Sequence, residues 1–284
     1  MRRDIRAMIY KGDIPEKFLK YDNAHFVIVP VPYEKTTSYG RGTCKGPGAI
    51  CAASEQVELF DEELQKEVYQ KGIATVKEVT DLDELQKVTE KILEDKKFPI
   101  VLGGEHTISA PPVRAFKKFY NDISVVHFDA HADLRDEYNG SKLSHACVMR
   151  RVVEEKVPLV QIGIRNHSLE EAEVIKKEGL NRPFYSHLIH GSDYWMEEAV
   201  ALLSKNVYIS FDVDAFDASI MPSTGTPEPG GMNWFQVVKF FRLLCKSRNV
   251  VGADFVELAP VKGNSGPDFT VAKLIYKLIG YLSS

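Results

Sequence analysis

The densest run of chemistry-bearing side chains in the sequence is Asp129-Ala130-His131-Ala132-Asp133, which follows the apolar run Val125-Val126-His127-Phe128. In an extended chain, side chains two apart point to the same side. Asp129, His131 and Asp133 are therefore expected to converge, with small residues opposite. Carboxylates this close repel one another unless a positive group compensates. A strand end that merely reaches solvent has no need of a histidine between two acids in strict alternation. The pattern recurs at Val207-Tyr208-Ile209-Ser210-Phe211-Asp212-Val213-Asp214, where Asp212 and Asp214 are expected to share a face. Asp217 follows at the turn, where an Asx-turn, a cap or a metal contact are all open readings. A third apolar run, Ile100-Val101-Leu102, ends in Gly103-Gly104-Glu105-His106. Paired glycines let the backbone bend and approach something closely. Neither nucleotide-loop pattern, G-x-G-x-x-G or G-x-x-x-x-G-K-[ST], is present.

Together these segments nominate His106, Asp129, His131, Asp133, Asp212 and Asp214 as metal ligands. Four carboxylates and two imidazoles exceed the needs of one ion but suit two ions that share bridging carboxylates. Oxygen-rich donors mixed with imidazole disfavour thiolate-type zinc or iron–sulfur sites and suit Mn²⁺, with Zn²⁺, Co²⁺, Fe²⁺ and Ni²⁺ left open. Two such ions roughly 3.5–4 Å apart hold a bridging water and ionise it near neutral pH.

Apolar, β-rich runs recur at residues 25–31, 98–102, 123–128, 159–164, 207–213 and 250–258. Between them lie stretches of helical periodicity with charged faces, at 83–97, 113–120, 146–156, 169–178, 234–246 and 269–282. Strands that are near-continuous apolar runs, each followed by a helix, predict a mainly parallel sheet covered on both faces, an α/β fold. Ligands bind such sheets outside the carboxyl ends of the strands, which is where the acidic clusters fall. No linker, low-complexity block or repeat divides residues 1–284, so one domain is expected.

A hydrophobic fraction of 44% and a charged fraction of 27% are those of an ordinary globular protein. A net charge of -4 gives no electrostatic reason to expect nucleic acid as a partner. The basic start Met1-Arg2-Arg3 leads into polar residues with no apolar stretch for a signal peptide. No run approaches the roughly 20 apolar residues that span a bilayer, so no membrane partner is expected. Cys44, Cys51, Cys147 and Cys245 show no Cys-x-x-Cys spacing. Free, largely buried thiols in a cytoplasmic setting follow.

At these motifs the sequence resembles the ureohydrolase family, which includes arginase, agmatinase, guanidinobutyrase and formimidoylglutamase. The resemblance also takes in Ser210–Asp217, Thr224-Gly225-Thr226-Pro227-Glu228-Pro229-Gly230-Gly231 and Asp254-Phe255-Val256-Glu257-Leu258-Ala259-Pro260, in family order from about Tyr33 onward. It implies a three-layer α/β/α fold, a dimanganese centre and a homotrimer or homohexamer. It implies that the six residues named above are the ligands, that hydroxide attacks the guanidinium carbon, and that Asp133 passes a proton to the departing amine. His145 resembles the family's proton-shuttling histidine; a helix start capped by Ser144 is the alternative. Glu257 has its own rationale: a guanidinium is a planar fork of donors that a carboxylate accepts bidentately. The Pro- and Gly-rich segment 224–231 is expected to be a rigid loop shaping the pocket.

The segment Leu134-Arg135-Asp136-Glu137-Tyr138-Asn139-Gly140-Ser141-Lys142-Leu143-Ser144-His145 resembles agmatinases rather than arginases. Agmatine, cleaved to putrescine and urea, is therefore the expected substrate, with Asp136 and Glu137 available to a free amine. Guanidinobutyrase, arginase or a catalytically silent regulatory homologue are the alternatives. Two positions depart from the family pattern: Ala218 stands where proline is common, and Cys51 where arginine is common, a change expected to bear on subunit contacts.

Overall fold

The computed structural model describes residues 13–177 and 183–283. The basic start of the chain and the last residue of the helix expected over 169–178 lie outside the described residues. Among the described residues nine strands run in chain order: β1 (Phe26–Val31), β2 (Phe60–Asp61), β3 (Lys66–Glu67), β4 (Ile73–Thr75), β5 (Phe98–Gly103), β6 (Ile123–Phe128), β7 (Leu159–Ile162), β8 (Asn206–Asp212) and β9 (Asn249–Val256). The helices are α1 (Gly46–Ser54), α2 (Leu82–Glu94), α3 (Ala110–Phe119), α4 (Val148–Glu154), α5 (Leu169–Lys177), α6 (Ser186–Ile189), α7 (Tyr194–Ala201), α8 (Trp234–Ser247) and α9 (Gly266–Leu282).

Seven strands form one sheet in the order β4-β1-β5-β9-β8-β6-β7, parallel throughout. The small antiparallel hairpin β2–β3 stands apart. The six expected sheet strands are all present, and β4 is added at the edge. Each strand alternates between two cores. Phe26, Ile28, Ile100, Leu102, Val126, Phe128, Ile209 and Phe211 pack with residues of α1, α7, α8 and α9. On the other face, Val27, Val29, Val31 and Val101 pack with α2. Ile123, Val125 and Tyr208 pack there with α3 and α4. This is the expected α/β/α sandwich: strands covered on both faces are largely apolar on both, and buried polar residues within them, among them His127, Gln161, Ser210 and Asp254, lie in β6, β7, β8 and β9.

Local signals set the helix ends. Asp81 caps α2 by accepting from Asp83 N at 3.0 Å and Glu84 N at 2.9 Å. Asn233 and Gln236 form a reciprocal capping box on α8. Three helices escape the sequence pattern. α1 begins Gly46-Pro47-Gly48, which reads as a turn, yet proline is tolerated in a first helical turn. α6 and α7 are short and weakly periodic.

Topology places the site. The chain passes from β5 to β6 while leaving two places between them, later filled by β9 and β8. The carboxyl ends of β5, β9, β8 and β6 thus lie side by side at a reversal of strand order, the usual position of a ligand crevice. Gly104 makes the approach possible at β5. A Cβ there would lie 2.1 Å from the carbonyl oxygen of Tyr33, so the expected close contact is with the chain's own backbone after β1. Gly104→Ala is accordingly expected to cost more than about 2 kcal/mol. A wild-type midpoint in chemical denaturation of that variant would count against this packing.

Candidate metal centre

Four acids, Asp129, Asp133, Asp212 and Asp214, meet within a few ångströms, and three of them are held the same way. Asp129 Oδ1 accepts the His131 N–H at 2.6 Å, Asp212 Oδ1 accepts the Asp214 N–H at 2.8 Å, and Asp214 Oδ1 accepts the Ala130 N–H at 2.9 Å. Each of these carboxylates therefore anchors one oxygen on the backbone and turns the other inward. The inward oxygens meet His106: its Nδ1 lies 3.1 Å from Asp129 Oδ2, 3.2 Å from Asp133 Oδ2 and 3.3 Å from Asp212 Oδ2. His131 Nδ1 lies 3.0 Å from Asp214 Oδ2 and 3.4 Å from Asp129 Oδ1. All six ligand candidates come together.

They do so by a different route from the expected strand alternation. β6 ends at Phe128, and Asp133 has φ 53°, so residues 129–133 are not a continued strand. Asp214 likewise lies in a 3₁₀ turn, Val213–Ala215, beyond β8. Convergence comes from turns at the strand ends rather than from alternation.

The hydrogen-bond network fixes the tautomer of His106. Asp254, fully buried, accepts from Tyr208 Oη at 2.8 Å and from Ser210 Oγ at 2.9 Å. Ser210 spends its one proton on that carboxylate and so accepts from His106 Nε2 at 2.9 Å. The lone pair of His106 is left on Nδ1, an otherwise unpartnered buried atom facing three carboxylate oxygens. Only a positive charge makes that arrangement attractive. Burial, and then the charges of Asp214 and Asp129, push Asp212 well above the usual carboxylate range. Burial and Asp129 raise Asp214 too. Buried acids strained toward protonation around imidazole lone pairs fit divalent cations.

His127 went unrecognised, though it stands in the same alternating register as Asp129 and belongs to a donor cluster with His106, Asp129 and Asp133. Gln161 Nε2, fixed by its 2.8 Å bond to the Ala132 carbonyl, also donates to His127 Nδ1 at 3.0 Å. His127 Nε2 then carries the hydrogen and donates to Asp129 Oδ2 at 2.8 Å. It orients a ligand rather than serving as one.

Beside the cluster lies a cavity of about 150 Å³, lined by Asp133, His131, Asp212, Asp214, His145 and Glu257 as well as by loop residues. Glu257 stands at φ 65° just past β9. Its Oε1 accepts the His106 N–H at 2.6 Å, and burial pushes its carboxyl up to about 8. Two residues at the site, Asp133 and Glu257, thus adopt left-handed backbone conformations that side chains of their kind disfavour. His145 both lines the cavity and opens a 3₁₀ turn, His145–Cys147, that leads into α4; Ser144 stands at the cap position but makes no side-chain cap bond.

Asp217 resolves to an Asx-turn. It accepts from the Ser219 hydroxyl at 2.5 Å, and from Ser219 N at 3.0 Å and Gly230 N at 2.7 Å, which holds it down to about 2. The loop 224–231 does border the cavity, through Gly225 and Thr226. A residue with no sequence signal, Arg165, ties it down: Nη2 donates to the carbonyls of Asp214 at 2.7 Å and Glu228 at 2.8 Å, and Nε to that of Pro229 at 3.0 Å. Asp136 is committed to Arg151 at 3.0 Å and Lys142 at 3.1 Å and does not line the cavity; Arg135 and Tyr138 do. Cys51 is buried in the core under α1, not presented at the surface, and nothing in the structure explains Ala218.

Acids and imidazoles gathered from neighbouring strand ends for divalent cations, beside a small polar cavity, define a metal-dependent hydrolase. A profile of the arginase family matches residues 24–280. The chain is 40% identical to N(1)-aminopropylagmatine ureohydrolase of Synechocystis sp., over 94% of each chain. It is 33% identical to the agmatinase of Pyrococcus horikoshii, over 91% of this chain and 92% of that one. It superposes on the agmatine ureohydrolase of Thermoplasma volcanium with a TM-score of 0.81 at 31% identity, covering 95% and 93% of the two chains. The chain belongs to the arginase family of ureohydrolases, metal-dependent enzymes acting on guanidino compounds.

Removing one acid should dismantle the cradle. Asp129→Ala is expected to lose bound divalent metal and with it hydrolytic activity; unchanged metal content by atomic absorption, with unchanged turnover, would defeat the ligand assignment. Arg165→Met is expected to cost about 2–3 kcal/mol, because it leaves several carbonyls without a charged donor, as read by thermal unfolding.

Proposed function

We propose that the protein hydrolyses the guanidinium group of an agmatine-type guanidinoalkylamine, releasing urea and a free amine, with two Mn²⁺ held by His106, Asp129, His131, Asp133, Asp212 and Asp214. The observation that carries this reading is the convergence of those six donors beside the buried carboxylate of Glu257. Bound divalent cations lower the pKa of a water to near neutrality and so supply the nucleophile.

The chain's own residues do the rest. Glu257, oriented by the His106 N–H, accepts the guanidinium fork; the incoming cation favours the ionised form that burial disfavours. Asp133, in the cavity wall, gives a proton to the departing amine, and His145 exchanges that proton with the surroundings. The preference for an amine over a carboxylate at the far end rests on the relatives, not on the loop's acids, since Asp136 is already paired. Arg135 in the cavity wall is balanced by buried Glu171 at 3.8 Å and gives a carboxylate no clear advantage. The name of the Synechocystis relative supports N1-aminopropylagmatine ahead of agmatine itself.

On this reading the enzyme serves polyamine biosynthesis, in the cytoplasm as its four free thiols suggest, and as a homotrimer or homohexamer.

Urea release from N1-aminopropylagmatine, agmatine, arginine and 4-guanidinobutyrate tests the substrate class. Both amines are expected to exceed both acids by at least tenfold in kcat/KM; arginine ahead by that margin would sink the proposal. Glu257→Gln should lower kcat/KM about 10–100-fold, the value of one charged hydrogen bond, with bound metal retained.

A further inference from the structure

Glu105, fully buried beside His106, has four donors on its two oxygens. Its Oε2 accepts the backbone N–H groups of Lys35 at 2.7 Å and Thr36 at 2.6 Å. Its Oε1 accepts the hydroxyls of Thr36 and Thr107, each at 2.8 Å. A hydroxyl has one proton and two lone pairs. Thr36 gives its proton to Glu105, so its oxygen has only lone pairs to offer any other neighbour.

That neighbour is His145, which meets the Thr36 oxygen twice. Its backbone N–H lies at 3.1 Å and its ring Nδ1 at 3.2 Å. Two lone pairs at that distance would repel, so the ring contact requires hydrogen on Nδ1. Ser144 Oγ is farther away, at 3.4 Å. Nε2 is then the ring nitrogen left with a lone pair, on a residue that lines the cavity.

We propose that Thr36 is a positioning residue that locks His145 as the Nδ1–H tautomer, so that Nε2 takes up and releases the proton exchanged with the reacting amine. This rests on the proton role of His145 proposed above. It gives Glu105 a task distinct from its neighbouring ligand: through Thr36 it fixes which end of an imidazole is basic.

Two readouts test it. The first is the ring tautomer, from long-range ¹H–¹⁵N spectra of histidine-labelled protein loaded with diamagnetic Zn²⁺, with His145 assigned by its loss in His145→Ala. Wild type is expected to show Nδ1–H, and Thr36→Val to lose that preference; an Nε2–H ring in wild type would overturn the inference alone, whatever the activity. The second is urea release by Mn²⁺-loaded enzyme. Thr36→Val is expected to lower kcat at least about tenfold with KM changed less than about threefold, and Thr36→Ser to restore kcat to within about threefold. Equal loss in Thr36→Ser and Thr36→Val, or no loss in either, would overturn it. If Thr36→Val fails to fold, the wild-type tautomer and Thr36→Ser still decide. Undiminished urea release by His145→Ala would instead overturn the proton role itself, and with it the catalytic half of this inference.

Discussion

Four carboxylates buried at one point of a protein cannot all be ionised without positive charge among them, and this constraint organises the whole molecule. The acids come from the ends of β6 and β8, and the imidazoles join them from the end of β5 and from within the 129–133 segment. The parallel sheet brings those ends together, and its crossovers leave the neighbouring places free until β8 and β9 fill them. Everything around the cluster limits its freedom to relieve its own repulsion. Backbone N–H groups pin one oxygen on each of three acids. The acids therefore present a fixed set of inward oxygens, which a cation finds ready-made rather than having to assemble.

The same economy governs the histidines. His106 and His145 each have one ring nitrogen assigned by a hydroxyl whose own proton is committed, Ser210 to Asp254 and Thr36 to Glu105, and His127 has one assigned by the Gln161 amide that the Ala132 carbonyl orients. In each case a buried polar group two bonds removed from the imidazole sets the state of the nitrogen that matters. The anchoring groups Asp254 and Glu105 are wholly buried, where such polar bonds are strong and their loss is costly.

The sheet, its faces and all six ligand candidates were legible in the sequence because they depend on local pattern: apolar runs of strand length, those that lead to the site stopping at an acid or a Gly-Gly. What was not legible depends on distant backbone. Arg165 looks like any surface arginine until the carbonyls of Asp214, Glu228 and Pro229 are seen around it. Thr36 gains meaning only from Glu105 and His145, which lie 69 and 109 residues away. Helix α1 was missed because Gly-Pro-Gly signals a turn. The charge of Asp136 was misread because its partners, Lys142 and Arg151, are settled by folding and not by composition.

Part of the cavity wall is the segment Thr37–Gly40, which belongs to no strand or helix. It is moored by Glu34, which accepts from Gly42 N at 2.9 Å and Cys44 N at 3.1 Å, and by the Gly40–Gly225 backbone contact at 3.1 Å. The segment is thus held by contacts that involve none of the six ligand candidates, and the cavity wall is open to change by substitutions that leave those donors in place. A single cradle can in this way serve a lineage whose members differ chiefly in the molecule they accept.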